Sequence, residues 1–546
     1  MKQGTAAGSL DLFRAMAKPS VGLIAILALT FYLRLVYFGQ YIDGDVGNLG
    51  YLAWRMAEGE ILIDLEGPGK PPLYFMLYAF FIRLFGPSVV GLKMFGAIFV
   101  LLAVVAVYWL ANQAYGKKVG LLAALLFGVF SSGPMVEGGT VNMEMVLYLP
   151  FILAIGLFLK ATTSGGKRWY FLTGISAALA TFVKQVGGVL FFVFLCYRIN
   201  EWWRKKDPHL RKECLDRYVL LCAGALLPVI GVISFYRFHG YTLYQLYDSM
   251  VGSNLRYIQR GHEYTDFLMF FFSNLKVMLP ENGLLWIGTA FATAYLGWRI
   301  WRGKEQTSDR ILLWWAFWSF AVLWITGTFF FHYFLQIIPA FSILTAYGIA
   351  TSWKLAKSLP PLSRLVAQGG WTILLMVMVI IFIENDYKYF FSYTPIEQTV
   401  FQHKVSKNVF DLYGTYNVVQ HRIAYYIRAN THPSETIYVW GISPQIYFLA
   451  QRKAASRFRN NYNMSMLVTG NPVKELAAYA STVMEDIGKS PPAFIVQIFP
   501  LESFPELQGF LRDRYTLDKN VEFVMPPYRI QLYRRLLDHQ VDPKPR

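Results

Sequence analysis

Residues 70–83 read Lys70-Pro-Pro-Leu-Tyr-Phe-Met-Leu-Tyr-Ala-Phe-Phe-Ile-Arg83, and whether this stretch crosses a bilayer decides the topology of everything after it. Its apolar part, Pro71 to Ile82, is about a dozen residues, against the roughly 20 that span a membrane as helix, so the length favours an interfacial or buried helix. Charge tests that reading. If the stretch does not cross, apolar spans near 92–112, 119–134, 143–160, 169–183, 186–200, 218–238, 282–300, 311–327, 330–350 and 370–386 alternate in a consistent way. Lys117-Lys118, Lys167-Arg168, Arg204 to Arg217, Arg302 to Arg310 and Lys354 to Arg364 then all face the cytoplasm. If it crosses, all of them fall outside, against the tendency of cationic loops to stay in the cytoplasm.

Upstream, Met1 to Lys18 carries Lys2, Arg14 and Lys18 against Asp11 alone, so it belongs in the cytoplasm and the first span, about Ser20 to Gly39, runs outward. The loop it leads into holds Asp43, Asp45, Glu58, Glu60, Asp64 and Glu66, a composition suited to the outer face. The count is about eleven transmembrane helices, and an odd number from a cytoplasmic start leaves residues after 386 outside. Composition agrees: the 546-residue chain is 55% hydrophobic and only 16% charged, where a soluble protein carries about a quarter charged residues. The apolar runs are too numerous for a signal peptide. The net charge of +17 lies largely in the short segments between spans, which explains it by membrane orientation and argues against a nucleic-acid partner. Cys196, Cys214 and Cys222 show no metal-ligand spacing.

From about 387 the pattern changes to short apolar runs and helical periodicity. Ile437 to Trp440, Phe494 to Ile498 and Tyr528 to Leu532 read as strands and Val473 to Ile487 as a helix. The expected organisation is a polytopic α-helical membrane domain over 1–386, with an external first loop at 40–91, followed by an extracytoplasmic soluble α/β domain over 387–546. No internal repeat or low-complexity linker interrupts it.

Several polar residues stand out against this apolar background. Asp43 and Asp45 lie at the mouth of the first span, where an acceptor hydroxyl or amine would need a general base, although a solvated loop also carries such residues. Lys70 precedes a rigid Pro-Pro turn at an interface, suited to an anionic headgroup or to snorkelling. Glu144 and Lys184 sit at external ends of spans, and ionisable residues there are costly enough to suggest a polar cavity. Arg256, Arg260 and His332 are able to contact phosphate, and Tyr333 to donate a hydrogen bond; a lone His in an aromatic helix is also an ordinary packed residue.

The acidic first loop, Lys-Pro-Pro before a short helix, Asn142-Met-Glu144, Val183-Lys-Gln185 and His332-Tyr-Phe-Leu-Gln-Ile-Ile-Pro339 together resemble the family 39-type membrane glycosyltransferases with the GT-C fold. These are relatives of protein O-mannosyltransferases and of lipid A aminoarabinose transferases. Val439 to Tyr447 and Gln451 to Phe458 are similar to the C-terminal domain of bacterial members.

The resemblance implies inverting transfer from a polyprenyl-phosphate sugar to an extracytoplasmic lipid, glycan or protein. Asp45 matches the acid expected to act as base. Val46 stands where a second acid is usual, which makes Asp43 the substitute. Lys70 matches the lysine that meets the lipid phosphate and Glu144 the acid of the second external loop, with Lys184, Arg256 and Tyr333 as further carry-overs. A divalent metal at Asp45 and Glu144 requires the fold to bring them together. The implied location is a bacterial inner membrane with the active site on the periplasmic face. The rival readings are a transporter or flippase of lipid-linked sugars, for which repeats and paired broken helices are expected, and a membrane scaffold.

Overall fold

The structure is a computed structural model that describes residues 19–66, 69–204, 208–264, 267–326, 329–366, 409–459, 473–525 and 528–536, and most positions of 368–384. Two compact units emerge. The first comprises Met1–Phe38, Gly67–Tyr74 and Lys93–Tyr389; the second comprises Gly39–Glu66, Phe75–Leu92 and Phe390–Arg546. Residues expected as one transmembrane domain over 1–386 thus divide between the two.

The first unit is a helical bundle. Among the described residues, five helical segments are long and apolar enough to cross a membrane by length and composition: Val89–Tyr115, Met143–Ser164, Arg211–Phe238, Phe331–Lys357 and Pro361–Ile381. Val89–Tyr115, at 27 residues, reaches about 40 Å at the helical rise, enough for the roughly 30 Å hydrocarbon core. Other apolar helices, Lys117–Phe130 and Lys167–Val183 among them, are shorter at 14 and 17 residues.

Packing in the bundle depends on small residues, because lipid tails leave no hydrophobic drive for helix association. The Lys167–Val183 and Pro208–Phe238 helices cross at paired glycines. A Cβ on Gly174 would lie 1.8 Å from the Leu221 carbonyl oxygen, and one on Gly224 would lie 1.9 Å from that of Phe171. The far side of Pro208–Phe238 leaves Val219, Leu226, Leu227 and Ile230 exposed, as a lipid-facing stripe should.

The second unit is built on a five-stranded mixed sheet of order β2-β1-β3-β5-β4, with β1 Thr436–Trp440, β2 Lys453–Ala454, β3 Phe494–Gln497, β4 Tyr515–Met525 and β5 Tyr528–Arg535. β1 runs parallel to β2 and β3, while β5 is antiparallel to β3 and β4. A parallel neighbour needs a crossover, and the Val473–Lys489 helix lies between β1 and β3 in the chain. Central strands covered on both faces lose the alternation of half-exposed ones, and Ile437 to Trp440 and Phe494 to Val496 are all buried. Tyr438, Trp440 and Ile495 join Val483, Ile487, Phe504 and Leu507 in one core, and on the other face the Tyr426 ring meets Phe494.

The first external segment is not a loop throughout. Gly44–Ala57 is a helix whose glycines admit the Gln445–Ala450 helix, since a Cβ on Gly47 would lie 2.1 Å from Gln445 Cβ. Tyr51 accepts a hydrogen bond from the Ala454 amide at 3.0 Å, and Asn48 accepts one from Arg459 Nε at 3.3 Å. Leu73–Phe85 is a separate helix of 13 residues, about 20 Å long and too short to cross.

Candidate functional site

One end of the first unit gathers most of the ionisable residues singled out by sequence. Glu144 lies in the first turn of Met143–Ser164 and Lys184 caps the C-terminus of Lys167–Val183, so each charge complements its helix dipole. Their side chains form an ion pair, with Glu144 1% and Lys184 17% exposed. The Lys184 ammonium also rests on the Tyr333 ring, 4.3 Å from its centroid. Tyr333 thus meets the site through its aromatic face.

His332 is the second residue of the 3-10 run Phe331–Ile337, and its Nδ1 lies 2.9 Å from Glu137 Oε2. Sequence reading missed Glu137. It follows the 3-10 turn Pro134–Val136 and has a left-handed φ of 54°, a strained conformation for a residue with a side chain. Sequence reading also missed Glu281, which is buried in the Phe267–Trp301 helix just after Pro280 and accepts the Met135 amide at 3.2 Å. An acid following a proline in an otherwise apolar helix is the signal that marks it.

Lys70 is held by its neighbour. The Gly69 carbonyl accepts hydrogen bonds from Gln185 Nε2 at 3.0 Å and from Asn254 Nδ2 at 2.9 Å. Because Gln185 follows Lys184, its side chain ties the segment that carries Lys70 to the one that carries Lys184. Lys70 is half-buried, and among the described residues its ammonium has no ion pair or hydrogen bond. Lys184 and His332 are joined to carboxylates, whereas among the described residues Lys70 is not.

Arg256 makes a two-pronged bond to Asp248 at 2.7 and 3.1 Å on an exposed surface. The hydrogen bond from Arg256 holds the Asp248 carboxyl below its ordinary value. The Arg260 side chain lies outside the described residues.

In the second unit, Asp43 and Asp45 differ in role. Asp43 is the N-cap of Gly44–Ala57, and its Oδ1 accepts the Val46 amide at 2.8 Å. Asp45, in the first helical turn, is exposed, and its carboxylate has no hydrogen bond or ion pair among the described residues. The two candidate bases are therefore distinguishable: one is engaged in folding a helix and the other is available. Among the described residues no group of three or more His, Cys, Asp and Glu side chains is placed to hold a metal ion.

Residues 69–230 match the protein family described as dolichyl-phosphate-mannose-protein mannosyltransferase. Among solved structures, ArnT from Cupriavidus metallidurans bound to undecaprenyl phosphate is similar with a TM-score of 0.58 and 13% identity, covering 94% of this chain and 98% of that one. The chain has the GT-C fold. A GT-C oligosaccharyltransferase from Archaeoglobus fulgidus in its apo form is similar at a TM-score of 0.52 and 14% identity, covering 89% of this chain and 70% of the other. The oligosaccharyltransferase AglB from Archaeoglobus fulgidus, in complex with an inhibitory peptide and a dolichol-phosphate, is similar at a TM-score of 0.51 and 13% identity, covering 94% of this chain and 74% of that one. No curated protein sequence matches. The resemblance to family 39-type GT-C glycosyltransferases thus extends to the three-dimensional fold.

Proposed function

We propose that this protein is an integral-membrane glycosyltransferase that moves a sugar from a polyprenyl-phosphate donor to an extracytoplasmic acceptor. The observation that carries the reading is Lys70: an ammonium in an apolar unit, fixed at its neighbouring backbone by two amide side chains, with no partner among the described residues. Such a charge is stabilised by an anion supplied from outside, and a phosphate on a lipid is the anion found at membrane depth. The similar ArnT structure holds undecaprenyl phosphate and the similar AglB structure a dolichol-phosphate, which favours a lipid-linked donor here.

In the proposed reaction the lipid phosphate leaves as the glycosidic bond breaks. Lys70 stabilises the developing charge, while Asp45 takes the proton of the acceptor hydroxyl or amine as it attacks, with inversion at the sugar carbon. Asp43 is assigned to capping, and Glu144 to holding Lys184 through their ion pair. Lys184, Tyr333 and His332 border the donor phosphate in this scheme, and Arg256 is assigned to its pair with Asp248. We assign about eleven crossings to the chain, with the Leu73–Phe85 helix at the interface, and the active site to the periplasmic face of an inner membrane.

The test is incubation of the protein in nanodiscs with a panel of polyprenyl-phosphate sugars and native membrane extract, following free lipid phosphate and glycosylated product by mass spectrometry. Release of lipid phosphate that falls about 10- to 100-fold in Lys70→Met at unchanged folding supports the reading. Donor movement across liposomes without release refutes it.

A further inference from the structure

The segment from Ser131 to Val141, which carries Glu137 and leads into Glu144, is held by side chains on its backbone. Arg34, only 4% exposed, donates to the carbonyls of Ser131 and Gly138 and contacts Met145 Sδ at 3.4 Å. Lys93, 5% exposed, donates to the Gly139 carbonyl at 3.0 Å. Tyr37 donates to the Ser132 carbonyl at 2.8 Å and Tyr74 to that of Val141 at 3.0 Å. Gly139 lets the Tyr37 ring close on the segment, since a Cβ there would lie 2.2 Å from Tyr37 Cδ1.

The Arg34 guanidinium has no carboxylate partner among the described residues; it is buried against neutral oxygens. Burying a cation for carbonyls alone is costly, and apolar contacts would suffice to hold an ordinary loop. What the clamp adds is fixed position. Glu137 keeps a left-handed backbone, a conformation that persists where the surroundings over-determine it, and that backbone aims its carboxylate at His332.

We propose that Arg34, assisted by Lys93, is a positioning residue for the donor site: it locks segment 131–141 so that Glu137 holds His332, and with it the adjoining Tyr333 face that carries Lys184. This rests on the donor-site reading of the cluster, but the clamp itself has a readout that needs no donor.

Four variants in nanodiscs test it: Arg34→Met, Arg34→Lys, Glu137→Gln and the Arg34→Met/Glu137→Gln double. Positioning through Glu137 predicts that Arg34→Met and Glu137→Gln each raise the donor KM about tenfold and that the double is no worse than either, because both break one linkage. Arg34→Lys should recover much of the loss. A loss of folded protein would lower kcat alone and multiply with Glu137→Gln; that outcome overturns the proposal.

Hydrogen exchange of peptides covering 131–141 should accelerate about tenfold or more in Arg34→Met, while the Val89–Tyr115 helix is unchanged. Unchanged protection overturns the clamp even if the wild type transfers nothing, in which case the donor reading falls separately. Should Arg34→Met fail to fold, Lys93→Met, which removes the Gly139 bond, takes its place under the same criteria.

Discussion

Removing Lys184 and removing Glu144 should cost different amounts, although both break the same ion pair. Lys184→Met leaves Glu144, 1% exposed, as a buried carboxylate without its cation, and breaking a buried pair in this way typically costs about 3–5 kcal/mol. The carboxyl can relieve that burden by taking up a proton. At pH 7 this costs about 3.7 kcal/mol, because an ordinary glutamate titrates about 2.7 units lower and each unit is about 1.36 kcal/mol. The loss is therefore capped near that figure, and at pH 5 the cap drops to about 1 kcal/mol.

Glu144→Gln leaves a lysine that is 17% exposed, still lies on the Tyr333 face and has a flexible stem reaching toward water, so its cost should be about 1 kcal/mol. Unfolding titrations in mixed micelles at both pH values measure the two. The Lys184→Met deficit should exceed the Glu144→Gln deficit at pH 7 by about 2 kcal/mol and converge with it at pH 5. Equal deficits at pH 7, or a Lys184→Met deficit that does not shrink with acid, would refute the view that Lys184 neutralises a buried Glu144 carboxylate.

The two first-segment aspartates separate by substitution. Asp43→Asn should keep both the cap and the turnover, since Asn caps as well as Asp, whereas Asp43→Ala should destabilise the Gly44–Ala57 helix by about 1 kcal/mol. Asp45→Asn should abolish transfer with the fold intact; exchange at the Val46 amide and lipid-phosphate release read the two effects. Gly47→Ala should release this helix from Gln445–Ala450, seen as faster exchange over 44–57, because its Cβ would lie 2.3 Å from Gln445 Cα and overpacking costs about 1–3 kcal/mol.

Asp486 supplies a pH-dependent contact in the second unit. Burial raises its carboxyl pKa, but hydrogen bonds from Arg457 and Ser456 outweigh that and leave it below the usual range. Its contribution is thus fully present above the unfolded value and is lost as pH falls through the folded one. Protection of the Arg457 amide, bonded to Asp486 Oδ2 at 3.0 Å, should therefore fall below about pH 4 in the wild type and be weak at every pH in Asp486→Ala.

How much was legible in sequence depended on contrast. Lys70, Glu144 and Lys184 stood out because a charge in an apolar chain is rarely there without a partner or a ligand, and the short Leu73–Phe85 helix was readable from length alone. Glu137 lies in Gly133-Pro-Met-Val-Glu-Gly-Gly139, where an acid is unremarkable, and its importance depends on His332 far along the chain. The Gly44–Ala57 helix was read as loop because its glycines weaken local helix preference. Those same glycines are needed for contact with Gln445 and Phe448, a tertiary reason invisible in a local reading. The capping bond of Asp43 likewise becomes visible only once the helix behind it is known.

The opposite end of the first unit shows what a closed polar network looks like. Asp309 is fully buried yet accepts from Tyr115 at 3.1 Å and from the Gln306 amide at 2.9 Å, and pairs with Arg299, which also donates to Tyr347 at 2.6 Å. Nearby, Glu305 takes both Arg204 and Arg310. These carboxylates have their cations, and a ligand binding there would have to break existing bonds. At the end that holds Glu144, the same holds for Lys184 and His332 but not for Lys70.

A phosphate approaching to about 4 Å of Lys70 gains about 4 kcal/mol at an effective dielectric near 20 without displacing a carboxylate, whereas at Lys184 it must compete with Glu144. The asymmetry separates the two lysines by measurement: Lys70 substitutions should act on donor binding and leave stability alone, and Lys184 substitutions should act on stability first.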